Sequence, residues 1–348
     1  MSKKNNPEWW FQLHEEISIG NKRQSIRSKF SQKPITQKTA SKTEDIVNQT
    51  DSVADFQFTY QATRHEREWL LQSLGSFYEH RWIEDVLRMI KGGKEASVYL
   101  CQANPQITPG LVAAKVYRPR KLRNLRNDHL YREGRSNLDS DGNQITNSGM
   151  LHAMRKKTQY GLELLHTSWL EHEFSTLKTL HAAGADVPRA FACENNALLI
   201  GYVGNENAAG TTLQAVQLGS NEARLLFQRL IKNVELMLAN NIIHGDLSAY
   251  NVLYWEGAIT IIDFPQAISP EQNPSSFKIF ERDVTRLCEY FFRYKKNIPQ
   301  SANPHKLAVD LWTAYNHRLV PDIDPALLNE EDELDVAYWK SLQNETFS

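Results

Sequence analysis

Residues 244–251 read His-Gly-Asp-Leu-Ser-Ala-Tyr-Asn, and two short apolar runs around Glu256-Gly257 then lead to Ile-Ile-Asp-Phe at 261–264. That order dictates a loop followed by a hairpin. Val252-Leu253-Tyr254 and Ile259-Thr260-Ile261-Ile262 have strand composition and Glu256-Gly257 supplies a tight turn, so the hairpin brings Asn251 and Asp263 together at its two ends. Asp246 precedes Asn251 on the loop. One acidic group can orient a hydroxyl or water while an amide and a second carboxylate hold magnesium beneath a triphosphate. Taken singly, Asp and Asn in a turn usually bond only to nearby backbone. A turn accident does not also place an Asp at the end of an apolar strand.

Two stations upstream want the same ligand. Residues 91–100, Lys-Gly-Gly-Lys-Glu-Ala-Ser-Val-Tyr-Leu, read as strand, glycine turn, strand, and 112–117 read as a third strand with one interior lysine, Lys115. Backbone approaches phosphates most closely where side chains are absent, and one cation must reach the α and β phosphates. A helix with Ser168 as N-cap and Gly184 beyond its C-cap puts Leu170, Glu173, Leu177 and Leu180 on one stripe and Glu171, Ser175 and Lys178 on another. Unless Glu173 sits at the rim of its stripe and reaches water, it faces a core and needs a partner. Lys115 is the one a nucleotide site would supply.

These residues resemble the RIO family of atypical protein kinases over about residues 83–295. The most specific parts are Gly-Lys-Glu-Ala-Ser-Val-Tyr at 93–99, Trp-Leu-Glu-His-Glu-Phe at 169–174, the 244–251 loop, and Ile-Asp-Phe-Pro-Gln at 262–266. The resemblance implies an α+β, trimmed two-lobed protein-kinase-like fold, with a small β-rich lobe and a larger helical lobe. It implies ATP and Mg2+ as cofactors, with Lys115 on the phosphates, Glu173 pairing it, Asp246 as catalytic aspartate, and Asn251 and Asp263 as metal ligands. Gly92, Gly93, Lys94, Ser97 and Val98 would then line the nucleotide, and backbone groups of Gly201 and Val203 would meet adenine. The implied function is serine phosphorylation, including autophosphorylation, or ATP hydrolysis that switches the protein on and off a large assembly such as a maturing small ribosomal subunit. Two alternatives share part of the pattern: a small-molecule phosphotransferase of the aminoglycoside or choline kinase type, and a nucleotide-binding scaffold without turnover.

Departures from ordinary protein kinases sharpen the expectation. Lys91 and Ala96 stand where the phosphate loop would carry its first and third glycines, so its cover over the phosphates should be stiffer. Gly245 replaces the arginine of regulated kinases, and Pro265 replaces the mobile glycine after Asp-Phe, so neither activation by loop phosphorylation nor a flip of that motif is expected.

With 348 residues and 41% hydrophobic, the chain can bury one sizeable core or two small lobes. Net charge of -1 favours no class of partner, so charge is read locally. Three scattered cysteines suit reduced thiols in a cytoplasmic protein, and no apolar run approaches the roughly 18 residues of a membrane span. The expected layout is a polar arm at 1–55, interrupted by Trp9, Trp10 and Phe11; a bracing helix at 56–82; the small lobe at 83–200; the large lobe at 201–295; and C-terminal helices with an acidic tail at 296–348. An insertion occupies 118–167, in which 137–148 is a polar run without periodicity, and it is expected to be mobile. Its first part, 118–135, carries seven basic against two acidic groups, which suggests contact with ribosomal RNA or another polyanion. Asp283 is read as opening a helix and bracing the catalytic loop.

Overall fold

The computed structural model describes residues 56–118, 135–294, 303–315 and 317. Alternation along the strands builds the small lobe. β1 (Ile83–Gly92), β2 (Ala96–Ala103), β3 (Leu111–Tyr117), β4 (Ala190–Glu194) and β5 (Ala197–Gly201) form an antiparallel sheet in the order β1-β2-β3-β5-β4. Val112, Ala114 and Val116 of the central strand β3 join one core with Leu70, Leu74 and Phe77 of the bracing helix, α1 (Arg64–Glu79). Successive strand side chains point to opposite faces, so Lys115 and Tyr117 face the other way. There Tyr117 packs with Trp169, Leu170 and Leu198.

The helix expected from Ser168 starts much earlier. α2 (Ser148–Lys156) and α3 (Gln159–Ala182) occupy the second part of the insertion, and Thr158 is the N-cap of α3, accepting from the Gly161 N–H. Ser168 is instead buried inside the helix, its hydroxyl accepting from the Leu138 N–H at 2.9 Å. Leu165, Met154 and Ile145 form a small cluster of their own, which supplies the packing that turns the preceding residues helical. The turn between the helices is tight enough that a Cβ on Gly161 would lie 2.0 Å from the Ala153 carbonyl. At the other end the expectation agrees with the structure, Gly184 following the C-cap with φ 80°.

Glu171 departs from its expected polar stripe. It is 5% exposed, and burial pushes its carboxyl up to about 7, Lys178 pulling down while Asp139 and Asp141 push further up. Its folded value lies above the ordinary 4.5. The folded chain therefore keeps a proton that the unfolded chain releases, and stability present below about pH 4.5 is lost as pH rises towards 7. Glu171→Gln is expected to be more stable than the parent at pH 8 by about 1–3 kcal/mol and nearly equal at pH 4.5. Urea unfolding at the two pH values checks this; an equal difference at both would contradict it.

In the large lobe β6 (Thr211–Thr212), β7 (Val252–Trp255) and β8 (Ala258–Ile261) form a second sheet, with Glu256 and Gly257 at positive φ in the β7–β8 turn. Leu226, Leu230, Val234 and Leu238 of α4 (Ser220–Ala239) face the same core as Phe280, Val284, Leu287 and Phe291 of α5 (Ser276–Phe292) and Trp312 of α6 (Pro304–Ala314). Asn303 caps α6, accepting from the His305 N–H at 3.0 Å. α5 begins seven residues before Asp283, which is therefore not its opening residue. The basic run at 119–134, the aromatic cluster near the N-terminus and the acidic tail lie outside the described residues. No helix among the described residues is long and apolar enough to cross a membrane.

Candidate active site

Strand phase and helix phase converge on Lys115. Its ammonium lies 2.7 Å from Glu173 Oε1 and 2.7 Å from Asp263 Oδ1. The Lys115 and Glu173 side chains are only 12% and 2% exposed, so both charges need compensation from within. Glu173 has it: the Tyr117 hydroxyl donates to Oε2, and the Phe264 N–H donates to Oε1 at 3.3 Å. Burial works to lower the Lys115 pKa, but Asp263 and Glu173 outweigh it, and the ammonium is held above its usual range. Burial likewise works to raise Asp263, yet Lys115 prevails and keeps that carboxyl below its usual value. Asp263 adopts φ 74°, a left-handed conformation rare outside glycine, at the turn where the chain leaves β8.

The loop at 244–251 is fixed by its own hydrogen bonds. His244 is buried against Phe264, with ring centroids 4.4 Å apart. Its Nδ1 accepts from the Asp246 N–H at 3.2 Å, which assigns the proton to Nε2, 3.1 Å from the Ile262 carbonyl. Burial depresses the ring's pKa, so the neutral form persists. Asn251 Nδ2 donates to the Asp246 carbonyl at 2.9 Å and to Oδ2 at 3.2 Å, while Arg286 Nη1 donates to Asp246 Oδ1 at 2.8 Å. Gly245 has φ 82°, and a Cβ there would sit 2.2 Å from the Gln266 carbonyl, so no arginine fits this backbone. Its N–H donates to Asp283 Oδ2 at 2.9 Å, and Arg282 donates to its carbonyl. Asp283 thus braces the loop from within α5.

At the glycine turn, Gly93 N–H donates to the Ala96 carbonyl at 3.0 Å, and a Cβ on Gly93 would lie 2.8 Å from that oxygen. Gly92 meets no such limit. Lys94 is exposed at the turn, Ser97 is buried, and Val98 pairs directly with Lys115 across β2 and β3. At the end of β5 the Gly201 N–H donates to the Arg189 carbonyl and the Val203 carbonyl accepts from the Gly210 N–H, both at 2.8 Å.

Sequence reasoning missed four residues. Tyr117 carried a readable signal, since it follows Lys115 by one strand period. Arg135 stood among the seven cations expected to meet a polyanion, yet it donates to the carbonyls of Pro265 and Ala267 at 3.0 and 2.6 Å. His172 meets the same Ala267 carbonyl at 2.9 Å, and burial, helped by Arg135, pushes it down to about 3, so a neutral ring donates there. Together they clamp the segment after Asp263. Arg286 is legible only once the phase of α5 is known.

Among the described residues no cluster of three His, Cys, Asp or Glu could hold a metal ion. Magnesium does not require one, because it ordinarily takes one or two carboxylates and completes its shell with phosphates and water. Asp263 and Asn251 fit that chemistry: both offer oxygen, and Asn251 directs its Nδ2 towards Asp246, turning the amide oxygen the other way.

The model of the RIO domain matches residues 110–303. The serine/threonine-protein kinase RIO1 of Homo sapiens is 27% identical over 128 residues, 36% of this chain and 22% of that protein. The RIO-type serine/threonine-protein kinase Rio2 of Methanocaldococcus jannaschii is 33% identical over 138 residues, 37% of this chain and 50% of that protein. The chain therefore spans half or less of these two relatives. A crystal structure of the Rio2 kinase-ADP/Mg2+-phosphoaspartate complex from Chaetomium thermophilum overlaps at TM-score 0.44 and 17% identity, over 90% of this chain and 87% of that one.

Proposed function

The chain belongs to the RIO domain family, and on that premise we propose that it is an atypical serine kinase or ATPase using ATP with Mg2+. The observation that supports this best is the joint placing of Lys115 on Glu173 and Asp263, at 2.7 Å each, beside a loop in which Asn251 orients Asp246. A solvated strand lysine and a capping aspartate would not meet in this way.

Lys115, kept charged by its two carboxylates, meets the α and β phosphates, and Glu173 holds it in place. Asp246 accepts the proton-bearing side of the acceptor, a serine hydroxyl or a water, and orients it towards the phosphoryl group. Asn251 and Asp263 would hold magnesium, which supplies charge neutralisation to the phosphates. The β1–β2 turn, with Gly92, Gly93, Lys94, Ser97 and Val98, covers the nucleotide. Because the Gly201 N–H and Val203 carbonyl are engaged within the chain, the adenine contacts fall to the Gly201 carbonyl and the Val203 N–H.

The assembly on which this activity acts is a maturing small ribosomal subunit, and the basic run contacts its RNA. Two of the seven cations leave that role, since Arg118 is buried and Arg135 clamps the Asp263 segment. The contact then rests on Arg120, Lys121, Arg123, Arg126 and Arg132. Three free cysteines suit the reducing cytoplasm.

Incubating the protein with γ-labelled ATP and magnesium, with and without small ribosomal subunits, follows the label to its destination. Label on serine or in inorganic phosphate, stimulated by the particle, is expected. Label passing only to an added aminoglycoside or choline would replace this reading with the small-molecule one, and no ATP consumption would leave a scaffold.

A further inference from the structure

Arg286 has no place in the machinery described so far, and it is not needed to fasten α5. One turn earlier Asp283 already accepts from the Gly245 N–H, and Arg282 binds the Gly245 carbonyl. Buried Val284, Leu287 and Cys288 seat the helix in the core. Arg286 instead reaches the working end of Asp246, Nη1 lying 2.8 Å from Oδ1, while Asn251 takes Oδ2. The two side chains are 39% and 42% exposed, so the pair is open to solvent. An ion pair that open contributes little stability.

The charge balance of the site gives the pair a use. Lys115 is held by two carboxylates, whereas Asp246 adds negative charge where the transferring phosphoryl group must pass. Among the described residues Arg286 is the cation paired with Asp246. A guanidinium carries several donors in a rigid fork, so one edge can stay on a carboxylate while another meets phosphoryl oxygens.

Resting on the phosphotransfer reading, we propose that Arg286 is a catalytic cation on the acceptor side, bridging Asp246 to the equatorial oxygens of the γ-phosphoryl group in transit. The bond from the γ-phosphorus to the β–γ bridging oxygen breaks, its electron pair leaving on ADP. The acceptor oxygen forms the new bond and its proton passes to Asp246; Arg286 keeps all of its protons. In this arrangement Asp246 chiefly orients the acceptor, as a loose phosphoryl transition state requires.

The test compares the parent with Arg286→Gln and Arg286→Lys, measuring kcat and KM for ATP, thermal stability, and magnesium-ADP binding with and without aluminium fluoride, a mimic of the phosphoryl group in transit. Arg286→Gln is expected to lower kcat about 100-fold with KM for ATP within about threefold, and to lose the tightening of ADP that fluoride produces in the parent. Arg286→Lys should recover part of both, at unchanged melting temperature. Retention by Arg286→Gln of kcat within about twofold together with full fluoride tightening would overturn the proposal. A defect confined to KM for the acceptor would overturn it too, moving Arg286 to acceptor recognition. A parent that neither consumes ATP nor tightens with fluoride would instead bring down the phosphotransfer reading itself.

Discussion

Asp246→Asn is expected to slow turnover by about a hundred- to ten-thousand-fold while leaving magnesium-ATP affinity within about threefold. Asp246 acts on the acceptor and makes no contact with the ground-state phosphates in the proposed arrangement. Its replacement keeps an oxygen for Arg286 and an amide of the same shape beside Asn251, so the loop retains the bonds of Gly245 and His244 that fix it. The variant should therefore fold and bind. Equilibrium titration with ATP and a single-turnover assay separate the two quantities, and a loss of affinity beyond about a hundredfold, or about 2.7 kcal/mol, would remove Asp246 from the acceptor role.

Lys115→Met should act on folding as well as on binding. It leaves Glu173, 2% exposed, with the Tyr117 hydroxyl and the Phe264 N–H but no cation, and breaking a buried pair on one side costs about 3–5 kcal/mol. ATP affinity should fall with it, because the same ammonium reaches the phosphates. Adding Glu173→Gln removes the stranded charge, so the double variant is expected to be more stable than Lys115→Met alone, with nucleotide affinity still low. Urea unfolding of the two single variants and the double variant measures the coupling. Additive losses would show that Lys115 and Glu173 do not act as a pair.

The pair was legible in the sequence because two periodicities, strand alternation at Lys115 and helical phase at Glu173, each point a charged side chain at a core. The β7–β8 hairpin was legible for a similar local reason, its turn residues naming their own conformation. The start of α3 was not. Ser168 and Thr158 are both acceptable N-caps, and what decides between them is the packing of Leu165 on Met154 and Ile145, a tertiary contact that no local pattern announces. Glu171 was misplaced because it lies one helical step from the apolar stripe, and its burial, with Asp139 and Asp141 near enough to act on its charge, is a tertiary effect. Arg135 and Arg286 were hidden by composition. One stood in a run of basic residues and the other in a helix whose start had been placed seven residues too late, so neither showed where its guanidinium would go. Gly245 could be seen as an absent arginine; that its backbone excludes any side chain became visible only with its φ and the Gln266 carbonyl in place.

The most direct measurement is a single-turnover chase of γ-labelled ATP bound to the protein, with magnesium present and after its removal by a chelator. Loss of the γ-phosphoryl group from ATP, to serine or to water, only while magnesium is present is the result expected of Lys115, Asp246, Asn251 and Asp263 in the roles given to them. ATP recovered intact in the presence of magnesium would contradict those roles.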